Sequence, residues 1–519
     1  MTAQQRLFKA LLLVGMLTLP VTQPALAQTN LPDLPPLQEE PAPSPPPSGS
    51  DLLDTLQEGE PDSENLSDQA LSLTETDVVT LLLQNNRELK NAVLDRIAQQ
   101  QELREAESIF EPDFTPTLSV EVSDASGVET NITQEARLEA GVLTPLGTRL
   151  EVSMDILDEQ ELGVTITQPL LRGFGREVTT VPVAVARLQE TNNQLDLRQR
   201  LISEITGSVV TYHALIRAQA SLKIQQLSFE TQQQQRRSIA ALVEAGRRPR
   251  FELVEIDANL ADTETSVLEA ANALEQAKSD LLDLLDLDDS IEITIPEETL
   301  ATLSVVAQPS DVPSLDELVT VAYANRPDYQ RAQLNVQVAQ LNGVVAADNR
   351  RWNLDLRANA REGDLSSAST ELVLTRLLDD ESVETAFQRN QVTQQQLQND
   401  LESLRSDIRL EVADQLRNVA SARNRIASTR LARELAVQRL ENARARARLG
   451  RARDIFEVLE LQNALVEAQN SEVNAAIDLA DAIANLNQSL GTTLTVWAEQ
   501  VEASELLLVP EFEVFTENK

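Results

Sequence analysis

The acids best placed to act together stand in a six-residue phrase that occurs twice. Phe251-Glu252-Leu253-Val254-Glu255-Ile256 and Phe456-Glu457-Val458-Leu459-Glu460-Leu461 align at an offset of 205 and agree in character at every position. Each carries two glutamates spaced i, i+3, which share one face of a helix. Asp262 continues the first face and Glu467 the second. No base, metal motif or apolar pocket singles these carboxylates out for acid–base work. What they can do is raise the local concentration of cations. Each phrase follows a glycine, Gly246 or Gly450, and an Arg-rich turn holding Arg247, Arg248 and Arg250 in one copy and Arg451 and Arg453 in the other. Two roles are open to these arginines: pairing with the glutamates to hold neighbouring hairpins together, or standing exposed to grip a partner protein. The competing reading of the acids is a solvated face of helices rich in Glu. Phe251 and Phe456 read as packing residues that fix the turn.

A glycine between two long helical patterns is a C-cap and a reversal. The patterns here are very long: 183–245 and 384–449 run with almost no Gly or Pro. At ~1.5 Å per residue each reaches roughly 95–100 Å, more than a compact domain needs. Leu397, Leu401, Leu404 and Ile408 form a heptad seam, so such helices must pack side by side within and between chains. Each returns through 251–287 or 454–490, and then come short segments of strand character, Ile291 to Ile295 and Leu494 to Trp497.

The front of each long helix also repeats. Helical sequence at 71–111 recurs at 315–351, and at an offset of 240 Asn85-Asn86-Arg87-Glu88-Leu89 faces Asn325-Arg326-Pro327-Asp328-Tyr329. The chain therefore divides into two structural repeats. Period-two alternation follows each opening helix: 116–169 holds four strands in the first repeat, while 353–376 holds two in the second. Alternation with charges on one face suits a barrel wall, apolar to lipid and polar to a watery lumen. It equally suits a soluble amphipathic hairpin. Aromatic residues near the strand ends are few, namely Phe110, Phe114 and Trp352.

Only 3% of residues are aromatic and 15 are Gly, a composition of long helices. There is no Cys, which excludes disulfides, thiol nucleophiles and thiolate metal sites, and the lone His213 reads as structural. No catalytic set, cofactor motif or metal motif emerges. A net charge of −40 makes nucleic acid an unsuitable partner. Arg6 and Lys9 precede an apolar run ending in Ala25-Leu26-Ala27, the pattern of a secretory signal peptide cut after Ala27. Residues 28–70 are an acidic, Pro-rich leader expected to act as a disordered tether. The first repeat is then 71–312 with its tip at 246–250, and the second is 313–502 with its tip at 450–454. A tail covers 503–519.

The order helix, strands, very long helix, Gly turn and returning helix, taken twice, resembles the TolC family of outer-membrane efflux proteins. Leu71-Ser72-Leu73 through Leu89 looks like that family's opening helix. Gln168-Pro169-Leu170-Leu171-Arg172-Gly173-Phe174-Gly175 is similar to its phrase where the last strand enters the long helix. Leu449-Gly450 with Asp454-Ile455-Phe456-Glu457-Val458-Leu459-Glu460 is similar to its periplasmic turn. The resemblance spans about 70–502.

It implies a mainly α protein with membrane β structure. Three chains would form one outer-membrane β-barrel, set in lipid and continued by a periplasmic α-helical barrel. A periplasmic adaptor protein would meet the tips and link them to an inner-membrane pump, for efflux or for type I secretion. It also implies an entrance lined by Glu457 and Glu460, with Glu252 and Glu255 at the repeat-equivalent place, twelve glutamates in a trimer. Two strands per repeat are usual in the family, and the four in this first repeat depart from that plan. A secreted periplasmic coiled-coil scaffold or adaptor without a pore is the alternative.

Overall fold

The structure, a computed structural model, describes residues 71–123, 131–157, 162–296, 299, 313–362, 367–376, 381–448 and 455–503. All lie in one compact unit, Asp62–Lys519. The expected signal peptide, the leader, the second tip (Gly450, Arg451 and Arg453 included) and the tail beyond 503 lie outside the described residues.

Each repeat opens with a bent pair of helices, α1 (Glu75–Asn85) and α2 (Arg87–Glu107) in the first, α6 (Leu315–Asn325) and α7 (Pro327–Asp348) in the second. Each pair starts from a reciprocal capping box, Thr74 with Asp77 and Ser314 with Glu317, at the same offset of 240. The sequence reads as one unbroken opening helix, but the structure breaks it at Asn86 and Arg326. The causes are local. Asn86 turns its side chain onto the Leu89 amide and so starts a new helix. Arg326 precedes Pro327, which forces it to an extended conformation.

The wall that follows is a single six-stranded antiparallel sheet. Its strands are β2 (Asp113–Ser123), β3 (Asn131–Leu143), β4 (Arg149–Asp155), β5 (Leu162–Pro169), β7 (Asn353–Glu362) and β8 (Ser367–Thr375), hydrogen-bonded in that order. A separate pair, β1 (Leu71–Ser72) and β6 (Ile293–Thr294), runs parallel. The first repeat thus carries four wall strands as read, and β3 and β4 sit inside the sheet between β2 and β5.

Register gives the sheet two distinct faces. One row crosses all six strands as Phe114, Ala140, Val152, Val164, Ala360 and Ala368. The next row, on the opposite face, reads Thr115, Glu139, Ser153, Gly163, Arg361 and Ser367. The apolar face is open: Leu118 is 75% exposed and Leu372 63% exposed. The polar face carries charge pairs, Arg357 to Glu371 at 3.1 Å and Arg137 to Asp155 at 3.7 Å. β2 and β8 are the two edges of this open sheet.

Three glycines join the sheet to the helices, at φ +91° (Gly147), +78° (Gly173) and +101° (Gly175). A side chain at Gly147 would put its Cβ 2.3 Å from the Gly173 carbonyl oxygen. The Gly173 amide donates to Asp348 at 2.7 Å, tying this turn to the end of α7. Leu146, Leu171, Phe174 and Trp352 stand exposed at this same end of the sheet, an apolar rim of the kind that borders lipid.

From the joint run α4 (Val181–Glu244), preceded by one short turn, α3 (Arg176–Thr179), and α8 (Glu381–Arg448). Their returning partners are α5 (Phe251–Leu284) and α9 (Ile455–Leu490). The main core forms where α1 and α2 pack on α4, with Leu82, Leu201, Ile205, Tyr212 and Leu281 almost wholly buried. The Tyr212 hydroxyl donates to the Leu73 carbonyl at 2.9 Å, and burial pushes its phenol up to about 12. Arg96 is buried on α2 and pairs with Glu190 of α4. The predicted heptad seam on α8 packs inside the chain, since Leu401, Leu404 and Ile408 meet α6 and α7 around Tyr329.

One sequence expectation fails. Leu494 to Trp497 is not a strand: Leu494–Val496 lie in the short helix α10 (Thr493–Val496) and Trp497 is its C-cap, ahead of α11 (Ala498–Ala503). Leu494 and Trp497 are spaced i, i+3, so a helical turn brings both onto the main core. No helix among the described residues is long and apolar enough to cross a membrane.

Candidate channel entrance

The first tip is built by a helix stop. Gly246 takes φ +70°, the Arg247 amide donates to the Leu242 carbonyl at 2.9 Å, and the Gly246 amide to that of Val243 at 3.0 Å. This is a Schellman closure, and a glycine suits its left-handed residue. Pro249 then sets the start of α5, whose second residue is Glu252. The same device recurs where the returning helices end, at Asp286 and Gly491, again 205 apart, with φ +53° and +71°.

At the first tip Glu252 is buried, and Arg248 Nη1 donates to both of its carboxylate oxygens at 3.1 Å. Arg247 and Arg250 are exposed, and Glu255 is half-buried. At the second tip Glu457 is half-buried and accepts from Arg446 Nη2 of α8 at 2.7 Å. Glu460 and Glu467 are exposed. Arg446 was not singled out in the sequence, although it belongs to an evident run with Arg444 and Arg448. Each of these two arginine–glutamate pairs lies within its own hairpin.

The two tips of a protomer meet through apolar contacts. Ile239, Ile256 and Leu459 form one cluster with Val243, joining both hairpins. Leu440, Ala443 and Val458 form a second, within α8 and α9. Although the two phrases match in sequence, they bury different faces. The first turns Glu252 and Ile256 inward and leaves Phe251 and Val254 exposed, while the second buries Val458 and Leu459. Leu459 is the repeat-mate of Val254, which is 69% exposed. On α5 the exposed positions Phe251, Val254, Ala258, Ala261, Thr265 and Leu268 step by three and four. They make a heptad seam that nothing in the chain covers among the described residues.

Farther along the hairpins, His213 is buried and faces Asp481 Oδ1 at 2.7 Å. Arg217 reaches Asp478 at 3.0 Å and Asp481 at 3.4 Å, and Arg425 reaches Asp478 at 3.0 Å. This network ties α4 and α8 to α9 and offers no nucleophile. No group of His, Cys, Asp and Glu among the described residues is arranged to hold a metal ion.

Solved structures share this architecture. The chain is similar to CusC, described in terms of folding and transmembrane channel formation, with TM-score 0.62 and 16% identity over 81% of this chain and 93% of that one. It is similar to the outer membrane protein VceC of Vibrio cholerae, with TM-score 0.62 and 15% identity over 80% and 96%. The CmeC outer membrane channel of Campylobacter jejuni gives TM-score 0.60 and 14% identity over 83% and 89%. No family model matches the sequence, and no curated protein does. The likeness covers 80–83% of this chain, so the fold is that of these outer-membrane channel proteins.

Proposed function

We propose that this protein is the outer-membrane channel of a tripartite export system, a passive conduit working as a homotrimer. The observation that carries the reading is the continuous apolar face of the six-stranded sheet, joined directly to helices 64 and 68 residues long. An open sheet with one predominantly apolar face, interrupted by Gln134, Gln168, Glu362 and Thr370, and one charged face is stable neither in water nor as an open wall in lipid, where unpaired edges are costly. Closing it with further copies of the chain, apolar side outward, resolves both problems. The helices would then continue the barrel into the periplasm, and the exposed heptad seam on α5 would be covered by a neighbouring protomer. A soluble coiled-coil scaffold would leave the apolar sheet face exposed to water, and patches of that size mark a membrane or a partner.

At the far end, Glu457, Glu460, Glu252 and Glu255 form the acidic entrance and favour cations. The tip residues Gly246, Arg247, Arg248, Arg250, Gly450, Arg451 and Arg453 serve as the surface for a periplasmic adaptor, which would link the channel to an inner-membrane pump. Exposed Arg247 and Arg250 support this assignment, because they are unengaged with the glutamates of their own hairpin. Glu252 is already satisfied by Arg248, so it contributes less to selectivity than Glu460.

Extraction and reversal potential test the reading. The protein should resist salt and carbonate and need detergent for release. In a bilayer under a KCl gradient it should be cation-selective. Glu457→Gln/Glu460→Gln should move the reversal potential towards zero, and Glu252→Gln should move it less. Selectivity unchanged by the double substitution would place the filter elsewhere.

A further inference from the structure

We propose that three copies close edge to edge into a wall of eighteen strands, six from each chain, with β3 and β4 as lipid-facing members of it. The proposal rests on the trimeric channel reading above. A plan of two strands per repeat would give a trimer twelve.

Three observations carry it. First, β3 and β4 are hydrogen-bonded within the wall, β3 to β2 along eleven residues and β4 to β5 along six, so moving the hairpin out of the wall would break both ladders. Second, their facing agrees with that of the rest. Ala140 and Val152 lie in the apolar row with Phe114 and Val164, while Glu139 and Ser153 lie in the polar one. A hairpin folded over the mouth, or resting in the lumen, would have no reason to keep that row unbroken. Third, the edges match in direction. Six antiparallel strands leave β2 and β8 running oppositely, so β8 of one copy meets β2 of the next antiparallel, as every other neighbour in the sheet does. The occupant of each edge is therefore another copy of this chain.

One chain cannot close alone. Even about eight strands leave an interior only just filled by side chains, and the inner face here carries Glu139, Arg357, Arg361 and Glu371. Diameter grows roughly linearly with strand number, so eighteen strands give a bore about 1.5 times that of twelve, in the range where porins hold an aqueous channel. The barrel is then the wide end of the conduit, and the helical tips set the limit on flow.

The test images the full chain in lipid nanodiscs by electron cryomicroscopy, viewed along the barrel. The expected result is a trimer with eighteen wall strands and β3–β4 between β2 and β5. A trimer with a twelve-stranded wall and the β3–β4 hairpin outside it overturns the proposal and leaves the channel reading standing. A particle that is not trimeric overturns both. Thiol labelling gives an independent answer in this Cys-free chain. With Glu151→Cys and Val152→Cys, a water-soluble maleimide should modify the first at least about tenfold faster, since the two alternate between lumen and lipid. Equal rates in assembled trimers overturn the placement of β4.

Discussion

At the scale of the residue, the two tip phrases show what sequence can and cannot carry. Their spacing was enough to put paired acids just past a glycine stop, and Gly246 does close the helix with the left-handed geometry its residue type allows. Which acids stay open was not legible, because it depends on contacts from other elements. Arg248 covers Glu252, and Leu459 is buried against Ile239 and Ile256 while its repeat-mate Val254 is not. The turn geometry predicts opposite effects for one substitution at two glycines. Gly246→Ala should cost about 1–2 kcal/mol, the penalty for a side chain in the left-handed region. Gly207→Ala, inside α4 with open space around its Cβ, should stabilise by about 0.5–1 kcal/mol. Amide hydrogen exchange in the two segments, faster in the first variant and slower in the second, checks both. Glu75 supplies a pH test. Burial pushes its carboxyl above the ordinary value of 4.5, with His213 pulling the other way. Its ionisation therefore opposes folding, a penalty absent below 4.5 and fully present once the pH exceeds the raised value. Glu75→Gln should raise the unfolding temperature at pH 7 and leave it unchanged at pH 4; equal gains at both would refute the assignment.

At the scale of the element, local signals were read well and neighbour relations poorly. The capping boxes at Thr74 and Ser314 went unread in the sequence, although they lie at the offset the repeat demands and a cap needs only four residues. The break at Arg326 follows from Pro327, whereas that at Asn86 depends on a side chain choosing the Leu89 amide. Leu494 and Trp497 read as strand because the segment is short and apolar, a case in which periodicity cannot decide. Alternation gave the facing of the stretches in which it was read, but it could not say that β3 and β4 lie between β2 and β5, since alternation carries no information about sheet order. The packing of α2 on α4 makes its own prediction. Arg96→Ala leaves Glu190 without its buried partner and should cost about 3–5 kcal/mol, with Arg96→Ala/Glu190→Ala recovering part of that loss. Additive losses in thermal unfolding would show that the pair is not coupled.

At the scale of the whole molecule, one chain is visibly a fraction of something. A sheet with one mostly apolar face and two edges that nothing among the described residues pairs, and a returning helix whose heptad seam nothing among them covers, both call for further copies. The same three-fold closure would satisfy them at once, with lipid around the sheet and protein around the helices. The seam makes a separate prediction: Val254→Cys and Leu268→Cys, each carrying a thiol-attached photocrosslinker, should crosslink to the neighbouring protomer in assembled trimers, whereas Leu201→Cys, in the main core, should not. The central claim remains the channel, and bilayer conductance of the detergent-purified protein tests it most directly. The account predicts discrete steps with cation selectivity that weakens in Glu457→Gln/Glu460→Gln. A protein that is soluble without detergent and gives no steps would contradict it.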